Sequence, residues 1–411
     1  MVEKKKIISI LLIIMIGIVI PINIYANSYI WSSMQDLAIN TSANISEEYT
    51  DDMTNPLKLD CGSAILIEQT TGKVLYSYKS HEQLKPASVT KVMSILLIME
   101  AINSGKINYD TQIPCSENAS SMGGSQIWLD QTETLTVDEM LKAICVVSAN
   151  DCVMAMAEYI AGSEEGFVKM MDDKAKELGM NDTTFKNCHG IDEDGHVTSS
   201  YDISLMSREL LNKYPEVTKY TTIWNDSLRD GKSELVNTNK LVRNYNGCTG
   251  LKTGSTSIAL YNLSASATRN NLSLIAVVLK APTPAIRFSN AQKLLDYGFS
   301  NYSVTSFGKK GDVIKSVTIK KGTLSSVDAV LENDADILNY NGSSSDITQE
   351  IKLSDTLNAP ILDGQKIGEV EFSMDGSVIL TVNLVSNKTV NKLNFSSIFK
   401  LVFSKWFNLL R

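Results

Sequence analysis

Apolar positions along this chain change their spacing from segment to segment, and each change predicts a different element. Residues 63–68 run apolar and 74–78 alternate, with Thr71-Gly72-Lys73 between them, which predicts two paired strands. Residues 89–101 are apolar nearly all round, the mark of a buried helix. Asn103-Ser104-Gly105 closes that run as a C-terminal stop. Helical patterns then dominate to about residue 211, among them 137–147 and 165–178, the latter stopped by Gly179. Beyond Lys252 the period returns to that of sheet-core strands, at 259–267 and 272–279, and residues 291–297 read as a closing helix. Strands on both sides of a helical stretch imply one sheet assembled from distant parts of the chain.

From about residue 303 the pattern shifts again. Short strand-like pieces at 313–319, 327–331, 347–353 and 370–384 are separated by Gly, Asn, Asp and Ser clusters, predicting a small all-β domain over 303–390. At 391–411 apolar and aromatic residues recur every three or four positions, from Leu393 and Phe395 to Trp406, Phe407 and Leu410. Lys400, Lys405 and Arg411 interrupt any spanning run, so this stretch reads as an amphipathic helix lying in a membrane interface. The alternative is a terminal helix packed on its own protein. At the other end, Lys4-Lys5-Lys6, the apolar residues 7–20, Pro21 and Ala26 form a signal-peptide pattern over 1–26. The apolar run is short for a spanning helix. A polar linker follows at 27–58, so the main folded unit is expected at 59–302, outside the cytoplasm and held on the outer face of the cell membrane.

Composition narrows the picture modestly. A chain of 411 residues calls for two or three domains, and 43% hydrophobic with 20% charged residues is globular. A net charge of -8 argues against nucleic acid as a partner. Six cysteines without a Cys-x-x-Cys pair, in a domain large enough to build its own core, read mainly as small buried residues; disulfides stay possible, with pairing not deducible.

The candidate chemistry lies in three short motifs: Ser88-Val89-Thr90-Lys91, Ser148-Ala149-Asn150 and Lys252-Thr253-Gly254. None is specific alone, since Ser-x-x-Lys recurs at Ser306 and Ser397, and Ser-x-Asn at Ser42 and Ser116. In this order they match the active-serine signature of β-lactamases and penicillin-binding proteins. A serine hydroxyl is a poor nucleophile without an activating neighbour. A lysine three residues on supplies one if the stretch is helical. Ser88 in a first helical turn also gains free N–H groups for a developing oxyanion.

The segments 84–91 and 249–256, with Asn187-Cys188-His189-Gly190-Ile191-Asp192, resemble those of low-molecular-mass penicillin-binding proteins of the D-alanyl-D-alanine carboxypeptidase family. The resemblance spans roughly residues 59–390 and extends to the terminal anchor. It implies an α+β fold, a β-lactamase/transpeptidase-like domain of antiparallel sheet with a helical insert, followed by the all-β domain. It implies a serine peptidase that takes the terminal D-alanine from peptidoglycan stem pentapeptides and is acylated by β-lactams, with no cofactor and no metal. Ser88 would be the nucleophile and Lys91 its base; Ser148 would relay a proton and Asn150 position the substrate amide. Lys252 and Thr253 would bind the terminal carboxylate, Gly254 would allow close approach, and the N–H groups of Ser88 and Ser255 would form an oxyanion hole. Arg287 would assist carboxylate recognition, its alternative being a surface salt bridge. Ala149 in place of Asp leaves both polar residues of its motif intact.

Rival readings remain. A β-lactamase needs a deacylating base, and Glu177-Leu178-Gly179-Met180-Asn181 mimics the Glu-x-x-Leu-Asn spacing. A β-lactam sensor would share the acylating serine without turnover. His189, His196, Asp192 and Asp194 lack zinc spacing and read as a turn. A Ser-His-Asp hydrolase lacks its Gly-x-Ser-x-Gly elbow.

Overall fold

Strands from two distant stretches of chain meet in one sheet. The computed structural model describes residues 55–341, 346–395 and 399, so the signal segment, most of the linker and nearly all of the predicted terminal helix lie outside the described residues. Strands β1 (Ser63–Glu68) and β2 (Val74–Tyr78) form a hairpin, and β3 (Cys248–Thr256), β4 (Leu260–Arg269) and β5 (Leu272–Ala281) form a meander. Their order is β2-β1-β5-β4-β3, antiparallel at every neighbouring pair.

The helical insert supplies α1 (Lys91–Asn103), α2 (Val137–Val146), α3 (Asn150–Ala161), α4 (Glu164–Glu177) and α5 (Ser200–Lys213). After the meander comes α6 (Pro284–Asn301). All six positions of β1 are buried, because alternate side chains serve two cores. Ile65 and Ile67 pack with the insert, and Ala64 and Leu66 pack with Leu294 and Leu295 of α6. Each large aliphatic side chain buried this way contributes roughly 1.5–3 kcal/mol relative to exposure.

Helix starts divide into two kinds. Thr136 and Glu139 form a reciprocal capping box on α2, and Ser163, Ser199 and Thr283 cap α4, α5 and α6 through their side chains. Neither α1 nor α3 has a side-chain cap. These are the two helices whose first turns carry the candidate motifs, and other groups take their leading N–H groups: that of Lys91 goes to the Ser88 carbonyl, that of Asn150 to the Ser125 carbonyl and that of Cys152 to Asp151 Oδ1. Ser88 itself sits in a 3-10 turn, Ala87–Thr90, rather than in the α-helix expected for it. The turn opens on Ala87 at φ 49, a left-handed residue that bends the chain before α1 can begin.

The C-terminal part is all-β. Strands β6 (Tyr302–Ser306), β7 (Val313–Lys320), β8 (Ser326–Leu331), β9 (Asp336–Tyr340), β10 (Ile347–Leu353), β11 (Thr356–Asn358), β12 (Lys366–Met374) and β13 (Ser377–Ser386) follow in sequence. Six of them form a sheet of order β10-β12-β13-β8-β7-β11. Only the β7–β11 pair in it is parallel. Strands β6 and β9 pair separately. The stretch 370–384 holds parts of two strands, because Asp375 (φ 51) and Gly376 (φ 78) turn the chain back between them. All six cysteines are free thiols, four of them buried. Among the described residues no helix is long and apolar enough to cross a membrane.

Candidate active site

The strand β3, the 3-10 turn and the starts of α1 and α3 converge on one buried lysine amine. Lys91 Nζ donates to Ser88 Oγ at 3.0 Å, to Asn150 Oδ1 at 2.6 Å and to the carbonyl of His189 at 2.6 Å. The side chain is fully buried, and burial holds its pKa well below the usual lysine value, with the charge of Lys252 pushing the same way. Two of its three partners can only accept. Asn150 presents its oxygen because its Nδ2 donates to the carbonyl of Gly123 at 2.7 Å. A neutral amine keeps two N–H donors for Asn150 and His189 and turns its lone pair to Ser88, whose hydroxyl can then donate. The geometry accommodates the neutral amine that burial favours and aims it at the serine.

Ser148, just before α3, stands at φ 67 with its Oγ buried and without a hydrogen-bond partner. A buried hydroxyl left open is costly unless something arrives to fill it. Lys252 is also buried, and burial brings its pKa down to about 7. Its Nζ donates to the carbonyl of Thr253 at 3.2 Å. Thr253 Oγ1 lies 2.7 Å from Thr238 Oγ1, so one hydroxyl orients the other. Gly254 runs against the serine turn: a Cβ there would stand 2.8 Å from the Pro86 carbonyl oxygen and 2.9 Å from the Ser88 nitrogen. Ser255, the next residue of β3, is exposed.

Arg287 on α6 is not in a surface salt bridge. It is buried, and Nη1 donates to the carbonyls of Gly254 at 3.4 Å and Asn262 at 3.3 Å, behind β3. Burial lowers its pKa to about 10, and its Nε has no partner. Glu177, the β-lactamase-like candidate, ends α4 and accepts from Lys174 Nζ at 2.7 Å, with most of its side chain in solvent. His196 spends both ring nitrogens on structure, accepting from the Lys186 N–H at 3.0 Å and bonding Thr90 Oγ1 at 2.8 Å. Thr238, Gly123 and the carbonyl of His189 belong to the site without lying in any of the three motifs. Backbone carbonyls leave no residue-type signal, although the 187–192 segment that carries one of them stands out by resemblance.

The family model described as D-alanyl-D-alanine carboxypeptidase matches residues 50–283. The chain belongs to the D-alanyl-D-alanine carboxypeptidase family. A second model, the C-terminal domain of penicillin-binding protein 5, matches residues 302–392 of this carboxypeptidase-family chain. The D-alanyl-D-alanine carboxypeptidase DacF of Bacillus subtilis is 44% identical over 357 residues, 86% of this chain and 92% of the relative. Among solved structures, penicillin-binding protein 5 of Haemophilus influenzae superposes with a TM-score of 0.68 at 29% identity, covering 82% of this chain and all of that one. Penicillin-binding protein D2 of Listeria monocytogenes, solved in its ampicillin-bound form, matches at 30% identity with a TM-score of 0.55, over 60% of this chain and 100% of its own. The fold is thus that of the penicillin-binding carboxypeptidases, with an antiparallel sheet, a helical insert and a C-terminal all-β part, and the chain is a serine peptidase of the penicillin-binding type. The β-lactamase alternative is not favoured.

Proposed function

We propose that this carboxypeptidase removes the terminal D-alanine of peptidoglycan pentapeptides through an acyl-enzyme on Ser88, and that β-lactams arrest it at that stage. The observation that carries this is the buried Lys91 amine, bonded to Ser88 Oγ and to two obligate acceptors. Lys91 takes the hydroxyl proton as Ser88 Oγ attacks the carbonyl between the two D-alanines. The N–H groups of Ser88 and Ser255 receive the oxyanion. Ser148 passes a proton to the departing amine, and water then cleaves the ester. Lys252 and Thr253 hold the terminal carboxylate, with Arg287 supporting Gly254 from behind.

Two lysines with opposite requirements make the pH profile diagnostic. Lys91 works neutral and Lys252 works charged, so kcat/KM rises with pH as Lys91 loses its proton and falls again as Lys252 does. With Lys252 near 7, the alkaline limb is expected around neutrality. Lys252→Arg, which stays charged, moves that limb upward, and an unmoved limb contradicts the assignment. The reading as a whole is tested by steady release of D-alanine from a pentapeptide, which neither a non-turnover sensor nor a dedicated β-lactamase gives.

The enzyme is exported by residues 1–26 and held on the outer face of the cell membrane by 391–411. The aromatic and aliphatic stripe of the tail supports this, since its buried apolar area provides attachment and its lysines an electrostatic part that weakens with salt. Deleting residues 395–411 from the exported protein, which spares Lys392 and Leu393 where they pair with the 321–322 turn, should leave it soluble with turnover of a short peptide intact. A truncated enzyme that still sediments with membranes would remove the anchor role, and one that is soluble but inactive would mean the tail packs on the fold.

A further inference from the structure

Asn150 and Asp151 open α3 together, and each fixes part of the same preceding loop. Asn150 takes the carbonyls of Gly123 and Ser125, at 2.7 Å each, while its Oδ1 meets Lys91. Asp151 is fully buried, and its Oδ2 accepts from the N–H of Ile127 at 3.0 Å and of Leu129 at 3.1 Å. The side chains of both donors are themselves buried in the insert core. Drawing the two flanking residues inward turns the one between them, Trp128, outward. Trp128 is 76% exposed and stands at φ 55. A bulky residue at positive φ persists only where its surroundings over-determine it. Arg229 supplies the rest: Nη1 donates to the Ile127 carbonyl at 2.8 Å and Nη2 to the Trp128 carbonyl at 3.3 Å. Glu133 in turn grips the guanidinium at 2.6 and 2.7 Å.

A single exposed apolar residue normally needs no explanation. This one is a flat indole on a strained apex whose backbone is clamped from two sides, in the loop whose Gly123 and Ser125 carbonyls meet Asn150, the partner of Lys91. With its backbone fixed and only two side-chain torsions to order, the indole offers contact area at little cost in lost side-chain freedom. We infer that Trp128 is a subsite for the peptide stem on the amino side of the scissile bond, taking an apolar side-chain stem or peptide plane of the substrate on its ring face. The inference rests on the function proposed above. Trp128 follows Ser125, which is bonded to Asn150, by three residues, at most about 10 Å of extended chain. The three stem residues that precede the two D-alanines of a pentapeptide reach about as far. A capped D-alanyl-D-alanine dipeptide does not.

That difference in length supplies the test. The ratio of kcat/KM for a pentapeptide to kcat/KM for a capped D-alanyl-D-alanine dipeptide is measured for the parent, Trp128→Ala and Trp128→Phe. The ratio should fall about three- to tenfold in the Ala variant, carried by KM, because contacts with unreacting parts of the substrate stabilise ground and transition states alike. The Phe variant should restore most of it. A ratio unchanged in Trp128→Ala overturns the subsite, whether both substrates lose equally, as for a mere support of the Asn150 wall, or neither does. A parent that turns over neither substrate overturns the proposed function and this subsite with it.

Discussion

Lys91→Ala folds but is acylated by penicillin roughly 10²- to 10⁴-fold more slowly than the parent, the range a positioned general base supplies. The variant removes a side chain whose nitrogen reaches Ser88, Asn150 and His189 at once. Two effects on stability oppose each other. The carbonyls of Asn150 and His189 lose a donor, at about 1–3 kcal/mol each if they stay dry. Against that, the unfavourable burial of an amine that would be charged in water disappears. Catalysis has no such compensation, since no other group meets Ser88 Oγ among the described residues. Stopped-flow acylation with a fluorescent penicillin, alongside a thermal melt, separates the two; an acylation rate within a few-fold of the parent takes the base role away from Lys91.

Gly190→Ala damages both fold and rate. Gly190 stands at φ 90, and a Cβ there would sit 2.0 Å from the Ala87 carbonyl oxygen and 2.9 Å from the Ser88 nitrogen. The neighbour is backbone and cannot swing away. Relief requires moving the serine turn, which carries Ser88 off Lys91, or the loop, which takes the His189 carbonyl off Lys91, so one of the contacts that aim the amine is lost in either case. Left-handed strain costs about 1–2 kcal/mol and overpacking a further 1–3 kcal/mol. Gly179→Ala is the matched control: φ is 73 there, but nothing lies within 4 Å of the added carbon. It should cost only the strain and leave acylation intact. Denaturant melts and acylation rates of the two variants make the comparison, and equal losses in both would mean that the packing against Ala87 is unimportant.

The fold is legible in the sequence where side-chain type carries the signal. The buried strand at 63–68 and the helices ending near Asn103 and Glu177 were visible from apolar spacing and Gly stops, and the structure has them within a residue or two. The closing helix read at 291–297 is in fact α6, beginning at Pro284, because the Thr283 cap and the buried Arg287 dilute the apolar pattern of its first turns. Strands β6 and β9 escaped notice because their pairing partner is each other, across intervening strands, and β6 has no fully buried residue. At the site, the three motifs identified Ser88, Lys91, Asn150 and Lys252 as chemistry-bearing types. What tunes them stayed hidden: the His189 and Gly123 carbonyls, the Thr238 hydroxyl, and the left-handed Ala87 that sets the serine at the head of α1. These are properties of backbone path, and only tertiary structure supplies it.

The central claim is that Ser88 forms the acyl bond. Mass spectrometry of the protein after reaction with penicillin, followed by peptide mapping, tests it directly on the parent and on Ser88→Ala. The account predicts one adduct, on the peptide containing Ser88, and none on the variant, whose D-alanine release should also vanish. An adduct persisting on Ser88→Ala, or mapping to Ser148 in the parent, would contradict it.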